Sequence, residues 1–137
     1  MANRWLVKEE PTHYSFQDLT NDGRTTWEGV KNPLAQKHLR GIKQGDLIFY
    51  YHTGDQKAVV GIARALSDAY PDPKEKEKTI YVVDVKGIRK LPKAVPLPDL
   101  RADKKLFEMP FLIISRIAVS PLTAAEYQEI LRLGGTK

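Results

Sequence analysis

The sequence predicts an α+β fold in which a curled, mostly antiparallel β-barrel carries flanking helices. Three observations carry that expectation. Short apolar runs alternate in the manner of strands, two helix starts are marked by caps, and five strands this short cannot all hide their edges in an open sheet. With 137 residues the chain suits one compact domain, read as residues 1–137.

The elements follow in order. RWLVK, residues 4–8, is a first strand stopped by Glu9-Glu10-Pro11, where proline removes a ladder donor. YSFQDL suggests a turn of helix. Residues 20–32 show neither a two-residue nor a 3.6-residue period and contain Asp22-Gly23, so they read as an irregular loop. Loops of this length in small domains tend to be functional or disordered. Asn32-Pro33 opens a helix, since asparagine caps well and proline is tolerated at the first helical position. That helix runs to about Arg40; Ala35, Leu39 and Ile42 share its core face, Gln36, Lys37 and Arg40 face water, and Gly41 ends it.

LIFYYH is a strand with Leu47, Phe49 and Tyr51 on one side and Ile48, Tyr50 and His52 on the other. The turn 53–56 leads to AVVGIARALSDAY, a second strand bent or bulged at Gly61, and the two form a hairpin. KEKEK after Pro73 is an exposed loop, and TIYVVDVKGI is a further strand. Prolines at 92, 96, 98 and 110 argue against regular structure throughout 91–110, although LPDLRADKKLF can hold helical turns. FLIISRIAV reads as the last strand. Thr123 and Glu126 form a capping box for a helix with Tyr127, Ile130, Leu131 and Leu133 on its apolar face, closed by Gly134-Gly135.

Composition narrows the classes of function. The chain is 42% hydrophobic and 28% charged, with no apolar run near the ~18 residues of a membrane span, so no membrane partner is expected. The start, MANRWLVKEEP, lacks a secretory pattern, and zero cysteines rule out disulfides and thiolate metal sites; a cytoplasmic protein is the expectation. The net charge is +5. Lys86, Arg89, Lys90, Lys93, Arg101, Lys104 and Lys105 stand against only Asp99 and Asp103 in residues 86–105, which suits a polyanion as well as it suits a solvated surface.

No catalytic set assembles. His13, His38 and His52 have no metal-ligand spacing, nucleophile-elbow and phosphate-loop motifs are missing, and Glu9 and Glu10 point to opposite sides of a strand. No cofactor is implied. What remains is a set of aromatic and polar residues at strand ends and in the 20–32 segment: Lys8, Trp27, Lys31, Asn32, Tyr51 and His52. Tryptophan can stack on a base, asparagine can pair with a base edge, and lysine can meet a carbonyl or phosphate. Each also has a plainer role: Trp27 as a core plug, Asn32 as a helix cap, His52 as a satisfied strand-end histidine, and one tyrosine of the pair as core.

Five stretches, WLVKEEP, TTWEGVKNPLAQKHLR, GDLIFYYHTG, VVGIARALSDAYPDP and SRIAVSPL, resemble in order and spacing the EVE domain family. The resemblance spans nearly the whole chain. It implies a PUA-like curled β-barrel with flanking helices, similar to the YTH domains that hold methylated adenine in an aromatic cage. It further implies a non-enzymatic reader of modified bases in DNA or RNA, such as 5-substituted cytosine, holding a flipped base in a pocket. The family's tryptophan motif falls on Trp27, Glu28, Gly29, Val30, Lys31 and Asn32, its lysine–glutamate–proline motif on Lys8 to Pro11, and its tyrosine–histidine motif on Tyr51, His52 and Thr53. Lys31 stands where arginine is common, which removes a planar fork. Ala118 lacks the hydroxyl found in the family's R-L-S-V strand, here Arg116-Ile117-Ala118-Val119.

The ligand-contacting set expected from these readings is Lys8, Trp27, Gly29, Val30, Lys31, Asn32, Tyr51, His52 and Arg116. Gly29 would let the backbone approach a ligand, and Lys8, Lys31 and Arg116 would supply positive charge. The partner expected is modified DNA or RNA bound by a monomer. A pocket for a peptide or small metabolite, and an enzyme acting on nucleic acid, are the alternatives.

Overall fold

The computed structural model describes residues 3–76, 79–114 and 117–136. Along them run β1 (Arg4–Glu9), α1 (Pro11–Tyr14), α2 (Phe16–Asp22), β2 (Arg24–Trp27), α3 (Pro33–Leu39), β3 (Leu47–His52), β4 (Ala58–Ala65), β5 (Tyr70–Pro71), β6 (Tyr81–Pro96), α4 (Leu97–Ala102), α5 (Pro110–Ile113), β7 (Val119–Leu122) and α6 (Ala124–Leu133). The strands form one sheet in the order β2-β6-β4-β3-β1-β7, with β5 paired to β6. The β1–β3 pair is parallel and the others are antiparallel.

The α+β class holds, but the closed barrel does not. Among the described residues, the sheet ends at β2 and β7 without pairing between them. Helix α3 packs against both β7 and β6, so a helix takes the place where a closing ladder would lie. Its side chains protect that gap by packing rather than by backbone pairing.

Helices cover both faces, so alternate residues of each strand enter separate cores. One core takes Trp5 and Val7 of β1, Ile48 and Tyr50 of β3, and Val83 and Val85 of β6, under Phe16 and Leu19 of α2 and Ala35 and Leu39 of α3. The other takes Leu6, Phe49, Tyr51 and Ile62 under Leu100, Phe111 and the α6 residues Tyr127, Ile130 and Leu131. Gly61 in β4 leaves room for the first core, because a Cβ there would lie 2.5 Å from the Phe16 ring.

Several local expectations are corrected. The segment read as a loop over 20–32 contains the end of α2 and all of β2. Ser15 and Asp18 form a capping box for α2, and Gly23 ends it at φ 83°. Strand β2 is an edge strand of four residues whose ladder partner, β6, is remote in sequence, so its local pattern carries little signal. Strand β6 continues through Pro92 to Pro96. That is possible because the β4 ladder jumps from Gly61↔Lys90 to Val59↔Val95, and Pro92 falls in the unpaired bulge where no ladder donor is missed. FLIISRIAV is not a strand: Pro110–Ile113 is a helical turn started by proline, and β7 begins at Val119. Ser115 and Arg116 of that stretch, and Glu77 and Lys78 of KEKEK, lie outside the described residues.

Asp46 ties the start of β1 to the turn before β3. Its carboxylate is buried and accepts from the Asn3 N–H through Oδ1 and from Trp5 Nε1 and the Lys43 N–H through Oδ2, each at 2.9 Å. Removing it leaves three donors without an acceptor. Asp46→Ala is expected to lower unfolding free energy by about 3 kcal/mol, read from urea unfolding at neutral pH. A loss under about 1 kcal/mol would mean that water replaces the carboxylate freely.

Candidate functional site

Strand β2 delivers Trp27 to the sheet's edge, and the next five residues cross to the start of α3. Their course is set by three contacts. Gly29 adopts φ 85°, a left-handed conformation that side chains resist, while the space around its missing Cβ is open. Its requirement is therefore backbone geometry rather than relief from a close neighbour. Asn32 caps α3, its side-chain oxygen accepting from the Leu34 and Ala35 N–H groups at 3.0 Å. Gln36, expected to face water, is instead buried: its Nε2 donates to the Val30 carbonyl at 2.7 Å and the Tyr81 carbonyl at 3.0 Å, and its Oε1 accepts from the Tyr81 N–H at 2.9 Å.

Outside this amide latch, the segment is tied to residues 74–75 by two ion pairs. Lys74 meets Glu28 at 3.3 Å, and Lys31 meets Glu75. Both are largely exposed and individually weak, so Gln36 is the stronger anchor.

A cleft of about 350 Å³ opens between this segment and the end of β1, bordered by Lys8, Glu9, His13, Trp27 to Asn32 and Ala118. Its size falls in the range of small-ligand sites. A second hollow, past Tyr14, Thr25 and Thr26, shares Glu9, His13, Trp27 and Glu28 with it. The charges are mixed, and His13 Nδ1 lies 3.2 Å from Glu9 Oε1.

Trp27 serves both readings in part. Its ring is 6% exposed, meets Tyr50 edge-on at 5.4 Å and 82°, and packs over Ile42, Ile48, Val83 and Val85. It is a core residue whose margin reaches the cleft, so a broad stacking face is not presented. Its Nε1 is buried with no hydrogen-bond partner among the described residues. Val30 is buried beside it in the same core.

Four expected members are placed elsewhere or beyond description. Strand alternation sends the Lys8 side chain to the opposite face, where Nζ lies 4.9 Å from the Phe111 ring and burial pulls its pKa below the ordinary lysine value. Tyr51 lies on that face too, edge-on to Phe111 at 4.8 Å; Tyr50 is the tyrosine on the Trp27 side. Burial raises the pKa of both tyrosines, most strongly that of Tyr50, which donates to the Tyr14 carbonyl. His52 borders a different cavity; its Nε2 accepts from the Phe16 N–H at 3.0 Å and its Nδ1 faces Gln56 Oε1 at 2.6 Å, which puts the proton on Nδ1. Arg116 lies outside the described residues.

The tyrosine–histidine and lysine–glutamate–proline motifs do meet, as neighbouring strand ends. Glu9 is in register with His52, the Thr53 N–H donates to the Glu9 carbonyl at 2.9 Å, and Thr53 Oγ1 donates to Glu10 at 3.3 Å. Sequence reading missed Glu9, His13 and Glu28 as cleft residues. Glu9 ends a strand and His13 lies in the next helical turn, so no single period in the sequence pairs them.

Residues 3–133 match the EVE domain family. A crystal structure of a protein from Agrobacterium tumefaciens is similar with a TM-score of 0.94 and 35% identity, covering 98% of this chain and 94% of that one. Human thymocyte nuclear protein 1, solved in complex with 5-methylcytosine containing DNA, is similar with a TM-score of 0.89 and 26% identity, over 99% of each chain. Mouse thymocyte nuclear protein 1 is 29% identical over 171 residues, covering 100% of this chain and 76% of that protein. Agreement of fold, motif order and length leads to one assignment: the chain belongs to the EVE domain family.

Proposed function

We propose that this chain is a non-enzymatic module that reads a modified base in nucleic acid, 5-methylcytosine in DNA foremost, by admitting the base to the cleft beside Trp27. The observation that carries this reading is the coincidence of the 27–32 motif with the wall of a ligand-sized cleft, in a chain similar to one solved with 5-methylcytosine containing DNA. The curvature of a PUA-like sheet around α3 belongs to the same reading.

The cleft supplies what a flat heterocycle needs. Val30 and the margin of Trp27 are apolar, while Gly29 leaves its backbone uncovered by a side chain. Glu28 and His13 offer polar groups at the mouth, and Asn32 retains its amide NH₂ after spending its oxygen on the helix cap. A base must leave its stack to enter, at a cost of a few kcal/mol that the cleft contacts offset. A methyl group alters shape and desolvation rather than charge, so discrimination is modest, about 1 to 3 kcal/mol.

Titrating the protein's tryptophan fluorescence with matched oligonucleotides tests the reading. Tighter binding of the 5-methylcytosine strand is expected for the native chain, and Gly29→Val, which strains the left-handed turn by about 1 to 3 kcal/mol, should remove most of that preference and lower the melting temperature by several degrees while the chain stays folded at about 25 °C. Equal affinity for methylated and plain strands in DNA and RNA, or turnover of the oligonucleotide, would overturn it. Trp27→Ala is unsuitable because it also hollows the core, at about 3 to 5 kcal/mol.

Gln36→Leu keeps the volume of the latch but leaves the Val30 carbonyl and both backbone groups of Tyr81 without partners. It should cost about 2 kcal/mol of stability and raise amide exchange across residues 28–32, as measured by hydrogen exchange. Unchanged exchange in that segment would show that the two ion pairs, not Gln36, hold the wall.

A further inference from the structure

The face of the sheet opposite the Trp27 cleft carries a row of cations that the cleft does not use. Cross-strand register runs Arg4↔Leu47, Leu47↔Arg64, Arg64↔Lys86 and Lys86↔Arg24, from β1 through β3, β4 and β6 to β2. Residues opposite one another in a ladder share a face, so Arg4, Arg64, Lys86 and Arg24 lie on one side of four of five adjacent strands, with Leu47 of β3 between Arg4 and Arg64, over roughly 19 Å at about 4.8 Å per strand. Arg89 joins them, being in register with Ile62, whose side chain lies in the Tyr127 core.

Like charges directly opposite one another destabilise a ladder. Arg64 and Lys86 are such a pair, both exposed, and no carboxylate pairs with Arg64, Lys86 or Arg89 among the described residues. Two acids of neighbouring elements are occupied: Asp84 lies 3.8 Å from Arg24 and accepts from Thr26 and Tyr70, and Glu126 is spent on the α6 capping box.

A second observation lies at the arginine end of the row. The Arg4 guanidinium lies 5.2 Å from the centre of the Tyr127 ring, which itself stacks on Phe49 at 4.7 Å. Burial raises the pKa of the Tyr127 hydroxyl, while the nearby charges of Arg4, Arg89 and Arg64 act in the opposite sense. Arg4 therefore caps the Tyr127 ring, and the ladder register puts Arg64 and Arg89 on the same side of the sheet. Planar forks beside a hydroxyl donor suit a phosphodiester oxygen pair.

We propose that Arg4, Arg64 and Arg89 around Tyr127, continued by Lys86 and Arg24, form a phosphate track that takes the backbone of a nucleic acid on the face opposite the Trp27 cleft. A linear row across strands matches a repeating anion better than a single one. The proposal rests on the nucleic-acid reading of the chain but not on base recognition in the cleft.

The test compares the native chain with the double variant Arg64→Gln/Arg89→Gln, by fluorescence anisotropy on oligonucleotides with and without 5-methylcytosine across a salt series. The variant should bind both about tenfold more weakly, lose about 1 to 2 units of the slope of log affinity against log salt, and keep any preference for the methylated strand. Arg64→Lys/Arg89→Lys should retain the slope while losing part of the affinity, and native-like circular dichroism of both variants establishes folding. An unchanged slope in the glutamine variant overturns the track, as does tighter binding of an acidic phosphopeptide than of the oligonucleotide at this site. If the native chain shows arginine-dependent binding without methyl preference, the cleft reading fails and the track stands. If it binds no nucleic acid at low salt, both fail.

Discussion

Along Leu47–His52, side chains are divided between two cores because helices cover the sheet on both faces. A strand in that position has no solvent side to which a functional residue can be assigned; each position belongs to one core or the other. Tyr50 therefore meets Trp27, and Tyr51 meets Phe111. The same parity carries the Lys8 ammonium away from Trp27 although its backbone borders the cleft. The chemistry of the two surfaces is in this sense a consequence of register: the cleft lies on the Trp27 side, the arginine row on the Tyr127 side.

The cleft wall illustrates how a short irregular segment acquires a fixed shape. Residues 28–32 contribute few apolar side chains of their own, and only Val30 is buried among them. Order comes from outside, through the helix cap at Asn32 and the Gln36 amide that joins Val30 to the first residue of β6. A buried primary amide with three satisfied bonds is directional, so it fixes position as well as proximity.

Much of this was legible in the sequence where the signal is local. The Asn32-Pro33 helix start, the Thr123–Glu126 capping box, and the alternation of LIFYYH all depend on neighbours a few residues away, and all three are present. Features that depend on remote partners were not legible. RTTW becomes a strand only because β6 lies beside it, and Pro92 sits within a strand only because the opposing ladder skips a stretch there. The cleft was half legible: the tryptophan motif names one wall, but Glu9 and His13 on the other come from the corner where β1 turns into α1. Tyr51 and Lys8 were drawn to the cleft by their chemistry, and strand parity sends their side chains elsewhere.

The substitution of a helix for a closing ladder has a mechanical consequence. Parting two paired strands breaks a row of backbone hydrogen bonds together, whereas α3 meets β7 through side-chain packing; on the β6 side the Gln36 amide holds both backbone groups of Tyr81. Of the two sides of α3, the one against β7 is thus the less directionally held. The helix starts from Asn32, where its cap and the mouth of the cleft coincide.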